Sequence, residues 1–207
     1  MAVQDAPRGE HWDGVYAGTD DTRVSWYEAA PDSSLAVLDA AGVTPAWSVV
    51  DVGAGASRLA DELVARGHDD VTALDVSSRG LERTRARLRA DAPVRFVVAD
   101  VVTWTPGRTF DVWHDRAVLH FLVEEADRDR YRDVVAAAVA PGGLAVIGTF
   151  APDGPATCSG LPVVRYGPDD LARLLDGLFT PVTTRRVEHR TPWGAVQPFT
   201  WVAARRA

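Results

Sequence analysis

The 207-residue sequence predicts a single α/β domain. We expect a doubly wound, mostly parallel sheet of seven strands, with an antiparallel C-terminal strand and an N-terminal helical cap. Two observations carry this. From residue 47 onward, short β-branched runs alternate with helix-like stretches, which implies a parallel sheet covered on both faces. The last two β-rich runs are joined around Pro192 and Gly194, which suggests an antiparallel strand at or near the edge. Residues 1–45 form the cap and 46–207 the sheet with its helices.

The elements follow in order. "WSVVDV" reads as a buried strand, and "SRLADELVARG" as a helix with Gly67 at its C-terminal end. "VTALDV" is the second strand, followed by a helix from Ser78 to Ala90. "VRFVVADV" and "TFDVWH" are the third and fourth strands. "DRDRYRDVVAAAVAPGG" is a helix stopped by Pro141 and two glycines. "LAVIGTF" makes the fifth strand and "GPDDLARLLDG" another helix. "PVTTRRVEHR" and "AVQPFTWVAA" complete the sheet. Ahead of it lie the aromatic segment "HWDGVYAGTDDTRVSWYEAA" and a helix, "DSSLAVLDAAG".

Composition narrows the chemistry. A net charge of −7 argues against general nucleic-acid binding, which needs basic surface. The strip "LERTRARLR" reads as a solvated helix face. Without lysine there is no P-loop or Schiff-base lysine, and without asparagine no N-glycosylation site. One cysteine, Cys158, excludes an intrachain disulfide and a cysteine-cluster zinc site. No apolar run is long enough to span a bilayer, and no signal peptide is visible, so a cytoplasmic location is expected.

Ligands of such sheets bind beyond the carboxyl ends of the strands. "DVGAGAS" follows the first strand and supplies Asp51, Gly53, Gly55 and Ser57, the glycines allowing a sharp turn and close ligand approach. Asp75 with Val76 ends the second strand, where an acid can accept hydrogen bonds from ribose hydroxyls. Asp100 and Val101 end the third. The dinucleotide pattern wants another glycine at Arg58, and it is missing.

This combination, with "FDVWHDRAVLHF" and "APGGLAVIGTF", resembles the class I S-adenosylmethionine-dependent methyltransferases, whose Rossmann-like fold matches the predicted sheet over residues 47–207. The resemblance implies S-adenosyl-L-methionine as cofactor and S-adenosyl-L-homocysteine as product. It places Gly53 and Gly55 under the methionine and ribose, Asp75 on the ribose hydroxyls, and Asp100 with Val101 near the adenine. It also accounts for Arg58, since this cofactor has no pyrophosphate to seat. "HWDGVY" resembles the W-x-x-x-Y entry motif of small methyltransferases. Trp12, Tyr16, Trp26 and Tyr27 could therefore close over sulfonium and substrate, or only pack the cap onto the sheet.

The stretch "DVWHDRAVLHF" falls beside the implied methyl donor. His114 and His120 are six residues apart, unlike a helical ligand pair, so no metal is expected. His114 or Asp115 could accept a proton from the nucleophile, and His120 could line the acceptor pocket. Equally, Asp115 could pair with Arg116, and His120 could be a satisfied buried histidine. Asp115, His114 and His120 stand as the catalytic candidates.

For the acceptor, two further likenesses compete. "WHDRAVLHF" is similar to a region of the elongation-factor lysine methyltransferases, but Arg116 and His120 depart from its pattern. "DGPATCSGLPVVRYGPDDLARLL" is similar to the pocket border of thiopurine and thiol methyltransferases, with only Gly160 and Pro162 matching. The leading expectation is methyl transfer to a small molecule, with no nucleic-acid or membrane partner. A protein-lysine substrate is the alternative, and a non-catalytic cofactor-binding regulator the next.

Overall fold

The computed structural model describes residues 8–207; residues 1–7, assigned above to the cap, lie outside the described residues. The cap contains α1 (Arg8–Gly18), a 3-10 turn at Asp21–Arg23, and α2 (Asp32–Ala40). The sheet and its helices follow as β1 (Val49–Val52), α3 (Leu59–Ala65), β2 (Val71–Asp75), α4 (Ser78–Arg87), β3 (Val94–Val98) and β4 (Phe110–Arg116). Then come a 3-10 turn at Leu119–Phe121, α5 (Glu125–Ala138) and β5 (Val139–Phe150). The chain ends with a small hairpin, β6 (Thr157–Cys158) and β7 (Leu161–Pro162), then α6 (Pro168–Leu175), β8 (Phe179–Arg190) and β9 (Val196–Arg206).

The sheet has seven strands in the order β3-β2-β1-β4-β5-β9-β8. Strands β1 to β5 pair in parallel, and β9 runs antiparallel between β5 and β8. This is the Rossmann-like sheet expected, with its antiparallel strand one place in from the edge. The order reverses between β1 and β4, which opens a crevice at the carboxyl ends of those two strands.

β1 and β2 are buried at every position, because helices cover both faces and no alternation is needed. Successive strand residues nevertheless point to opposite faces. Val112, Leu144, Val146 and Trp201 pack with Leu35 and Leu38 of α2 and Leu63 of α3. Trp113, Ala145, Ile147 and Val202 pack on the other face with Tyr131 and Val135 of α5 and Leu171 of α6. This parity decides where the polar residues at the end of β4 go.

Some boundaries differ from expectation. α5 ends at Ala138, before Pro141, and β5 starts at Val139 rather than Leu144. The residue before a proline is pushed out of the helical region, and Val139 is already extended and paired with Phe110. α4 stops at Arg87 rather than Ala90. No described helix is long and apolar enough to cross a membrane.

Candidate active site

The turn after β1 is built by two glycines in the left-handed region, Gly53 at φ +69° and Gly55 at φ +45°. Any other residue would be strained there. A Cβ on Gly53 would collide with the Val118 side chain, and one on Gly55 with the Tyr16 hydroxyl. Ser57 accepts the amide of Leu59, the first residue of α3, at 3.2 Å.

Asp75 braces this turn from β2. Its Oδ2 accepts the Gly55 amide at 2.8 Å, and its Oδ1 accepts the Ser77 amide at 2.7 Å. Burial pushes its pKa up to about 7, against the pull of those two amides. Each oxygen keeps a second lone pair for an incoming hydroxyl.

α1 lies across the turn as a lid. Tyr16 is buried against Gly55 and Gly80, and burial followed by the nearby Asp75 raises its hydroxyl pKa. Trp12 meets Trp26 edge-on at 5.7 Å between ring centroids and Phe121 at 5.1 Å. Polar latches fasten the helix. Asp13 accepts the Ser77 hydroxyl at 2.6 Å, and Arg83 donates to the carbonyls of Thr19 and Tyr16 and pairs with Asp21. Arg8 pairs with Asp100 at 2.9 Å and also with Asp127. The arginine strip on α4 is thus only partly a solvated face. Arg83 and Arg87 are tied down, the latter to Asp61 at 2.9 Å, whereas Arg89, beyond the end of α4, pairs with Asp91 out in solvent.

One cleft collects these parts. It is lined by Trp12, Tyr16 and Trp26 from the cap, Gly53 after β1, Asp75 and Val76 after β2, and Asp100 with Val101 after β3. The end of β4 adds Arg116, Ala117, Val118 and Phe121, and the β6–β7 hairpin adds Cys158. An adjoining pocket shares Tyr16, Trp26, Gly53 and Arg116, and continues to Asp51, Ser57, Arg58, His114, Tyr27 and Glu28. All the cofactor candidates but Gly55, which lies beneath Tyr16, therefore fall on two touching cavities.

The catalytic candidates do not gather in the same way. His114 shares the face of Val112; its Nδ1 lies 2.7 Å from Asp51 Oδ1 and its Nε2 2.9 Å from the Ser34 hydroxyl. It lines the adjoining pocket with both nitrogens engaged. Asp115 shares the opposite face with Trp113 and is wholly buried. It accepts the amides of Val118 at 2.8 Å and Leu119 at 3.1 Å and the Tyr131 hydroxyl at 2.6 Å. Burial lifts its pKa to about 6, and these donors limit the rise. It lies outside the lining of both cavities and holds the turn after β4 in shape. His120 is also outside that lining, packed between Phe121 and Phe150. Burial, reinforced by Arg116, drops its pKa to about 3, so the ring is neutral. Both its nitrogens lack a partner among the described residues.

Other site residues carry no local signal in the sequence. Arg116 pairs with Glu28 at 3.3 Å rather than with Asp115, and donates to the Trp26 carbonyl at 3.0 Å. Glu28 is held below the usual carboxylate range: burial raises its pKa, but His189, Arg116 and Ser33 outweigh it. His189 lies on β8 and donates from Nε2 to the Ser25 carbonyl at 2.6 Å, so "EHRTPWG" contributes one residue to this cluster. Arg8 was likewise unmarked. The Cys158 thiol is pushed up by burial, against a thiolate nucleophile. Among the described residues, no group of three or more His, Cys, Asp or Glu side chains could hold a metal.

Comparison with known proteins adds the following. Residues 49–143 match the family model described as "Methyltransferase domain". Over 78 residues the chain is 40% identical to trans-aconitate 2-methyltransferase of Methylobacterium radiotolerans, a match spanning 37% of this chain and 29% of that protein. Over 86 residues it is 37% identical to ribosomal RNA small subunit methyltransferase B of Xanthomonas campestris pv. campestris, covering 38% and 20% respectively. The matched segments thus span less than a third of these relatives. Among solved structures, the 1,6-didemethyltoxoflavin-N1-methyltransferase of Burkholderia thailandensis, with its namesake ligand and S-adenosylhomocysteine bound, superposes with a TM-score of 0.75. It is 27% identical, over 98% of this chain and 93% of that one. The N-methyltransferase NodS of Bradyrhizobium japonicum WM9, in complex with S-adenosylhomocysteine, gives a TM-score of 0.74 at 18% identity, over 97% and 99%.

Proposed function

We propose that this chain, which carries a class I S-adenosylmethionine-dependent methyltransferase domain, moves the methyl group of S-adenosylmethionine to a small-molecule acceptor. The transfer is an in-line displacement at carbon that releases S-adenosylhomocysteine. One observation carries the reading: the glycine turn, Asp75, Asp100 with Val101, and the aromatic lid converge on one cleft at the carboxyl ends of β1 to β4.

The residues present fit that cofactor. Asp75 retains acceptor capacity on both oxygens for a ribose diol. The glycine turn brings backbone close to the cavity, and Val76, Ala99 and Val101 give an apolar slot for a planar base. When bound, the cofactor supplies a methyl group already activated by its sulfonium. The protein's share is to orient the two partners and exclude water. Trp12, Trp26 and Phe121 wall the cleft, and aromatic faces favour a cation in a desolvated site.

The acceptor belongs beside the end of β4, at Arg116 and Phe121 rather than at Asp115. Proton removal is a minor part of this reading. His114 has both nitrogens occupied, Asp115 is spent on the turn, and His120 sits behind the cleft wall. A small acceptor is supported by the narrow, lid-covered cavity, and a non-nucleic-acid acceptor by the net charge of −7. A cytoplasmic setting belongs to the same reading.

Calorimetry with S-adenosylmethionine, S-adenosylhomocysteine and NAD tests the cofactor; tight binding of NAD alone overturns it. A labelled methyl donor offered with thiols, amines, phenols and a proteome extract tests the acceptor. Label confined to protein would favour a protein-lysine substrate. No transfer to any of them, with cofactor binding intact, would favour a regulator.

A further inference from the structure

Arg116 is the charged side chain at the acceptor end of the cleft. It lines both cavities, at the point where they meet. Its side chain keeps only 13% of its exposure. A guanidinium stays protonated in proteins and offers five N–H donors in a rigid fork. Here Nη1 donates to the Trp26 carbonyl, while Nη2 has no hydrogen bond among the described residues although Glu28 lies 3.3 Å away. Leaving such donors unmet in a buried place is costly.

The surroundings hold the fork rigid. Its Cζ lies over the Phe199 ring, 5.1 Å from the centroid. Glu28, which supplies the counter-charge, is fixed by the Ser33 hydroxyl at 2.9 Å and approached by His189 at 3.6 Å. Glu28 therefore holds Arg116 by charge at 3.3 Å, with no hydrogen bond from Nη2. The neighbours at this end of the cleft are Trp12, Trp26, Phe121, Ala117 and Cys158, an apolar and largely aromatic wall.

We propose that Arg116 anchors a carboxylate on the methyl acceptor, so that the substrate class is a small carboxylic acid with a planar or aromatic body. The carboxylate takes the Nη2 donors that Glu28 leaves unused, and the body lies against Phe121 and the tryptophans. The cofactor's own carboxylate has a different candidate, because Arg58 lines the adjoining pocket beside the glycine turn. This inference rests on the cofactor assignment above, since it takes the other end of the cleft to be the adenosine end.

The test uses benzoate and phenylacetate, with benzamide and phenylacetamide as neutral isosteres. Each is titrated at millimolar concentration into the free protein and into the protein saturated with S-adenosylhomocysteine. The acids should bind the complex at least about tenfold tighter than the amides, the scale of a charge-assisted hydrogen bond. Arg116→Gln should erase that ratio while S-adenosylhomocysteine affinity stays within about threefold. Arg116→Lys should keep part of the ratio, and thermal unfolding checks that both variants are folded. Equal binding of acids and amides, or no binding of either, overturns the proposal. So does loss of S-adenosylhomocysteine affinity in Arg116→Gln, which would give the guanidinium to the cofactor. Failure of the wild type to bind S-adenosylhomocysteine would instead refute the cofactor reading, and acid binding to the free protein would then still report on Arg116.

Discussion

The imidazole of His114 bridges the sheet and the cap: its Nδ1 meets Asp51 at 2.7 Å and its Nε2 meets Ser34 of α2 at 2.9 Å. Adjacent strands and a helix from the N-terminal segment are thereby joined through one buried ring.

His114→Ala should therefore cost stability, by about 2–4 kcal/mol, because it leaves the Asp51 carboxylate and the Ser34 hydroxyl buried without their partner. Urea unfolding measures this. A variant of unchanged stability whose methyl transfer collapses would make His114 the proton acceptor instead.

Asp75 should make cofactor affinity depend on pH. Burial raises its folded pKa to about 7, so the free protein holds a proton there that ribose hydroxyls, which prefer the carboxylate, would displace. S-adenosylhomocysteine should bind more tightly at pH 8 than at pH 6, and calorimetry in buffers of different ionisation enthalpy should record about one proton released or fewer. Asp75→Ala should abolish the binding; a flat pH profile with intact affinity would remove Asp75 from the ribose.

Asp115 should show itself in stability rather than affinity. Its folded pKa is raised to about 6, so the stability it contributes is present in full below the unfolded value near 4 and declines as pH rises through about 6. The wild type's advantage over Asp115→Asn should shrink across that interval in urea titrations. An advantage that grows with pH would mean that the carboxylate is favoured as the anion.

Gly55→Ala should unseat α1, since the new methyl group overlaps the Tyr16 hydroxyl and the backbone is at φ +45°. S-adenosylhomocysteine affinity should fall by at least about tenfold, about 1.4 kcal/mol. Adding Tyr16→Phe should restore part of it by removing the oxygen. If the double variant is as weak as the single one, the strain lies in the turn and the lid contact is incidental.

The strands of the sheet, the glycine turn, Asp75 and Asp100 were legible because each is a local pattern at a strand end. The end of β4 was not. In a strand buried on both faces the sequence shows no alternation, so nothing distinguishes His114, which faces α2 and the adjoining pocket, from Asp115, which faces α5. Arg116 and Glu28 are 88 positions apart in sequence, and their pairing exists only once the loop after α1 folds over β4. Arg8 was hidden for the same reason, being 92 positions from Asp100.

The place of β9 between β5 and β8 bears on how the molecule is made. β8 leaves the ribosome before β9, yet among the described residues β9 is its sole neighbour in the sheet. Until β9 is synthesised, the free edge of β5 and both edges of β8 stay unpaired, and such edges invite wrong partners. β8 is suited to wait: it carries Pro181 and the run "TTRRVEHR", and most of its residues remain polar or exposed. β8 is also the strand whose outer edge stays open in the folded sheet, and the same polar, proline-bearing sequence guards that edge against wrong partners.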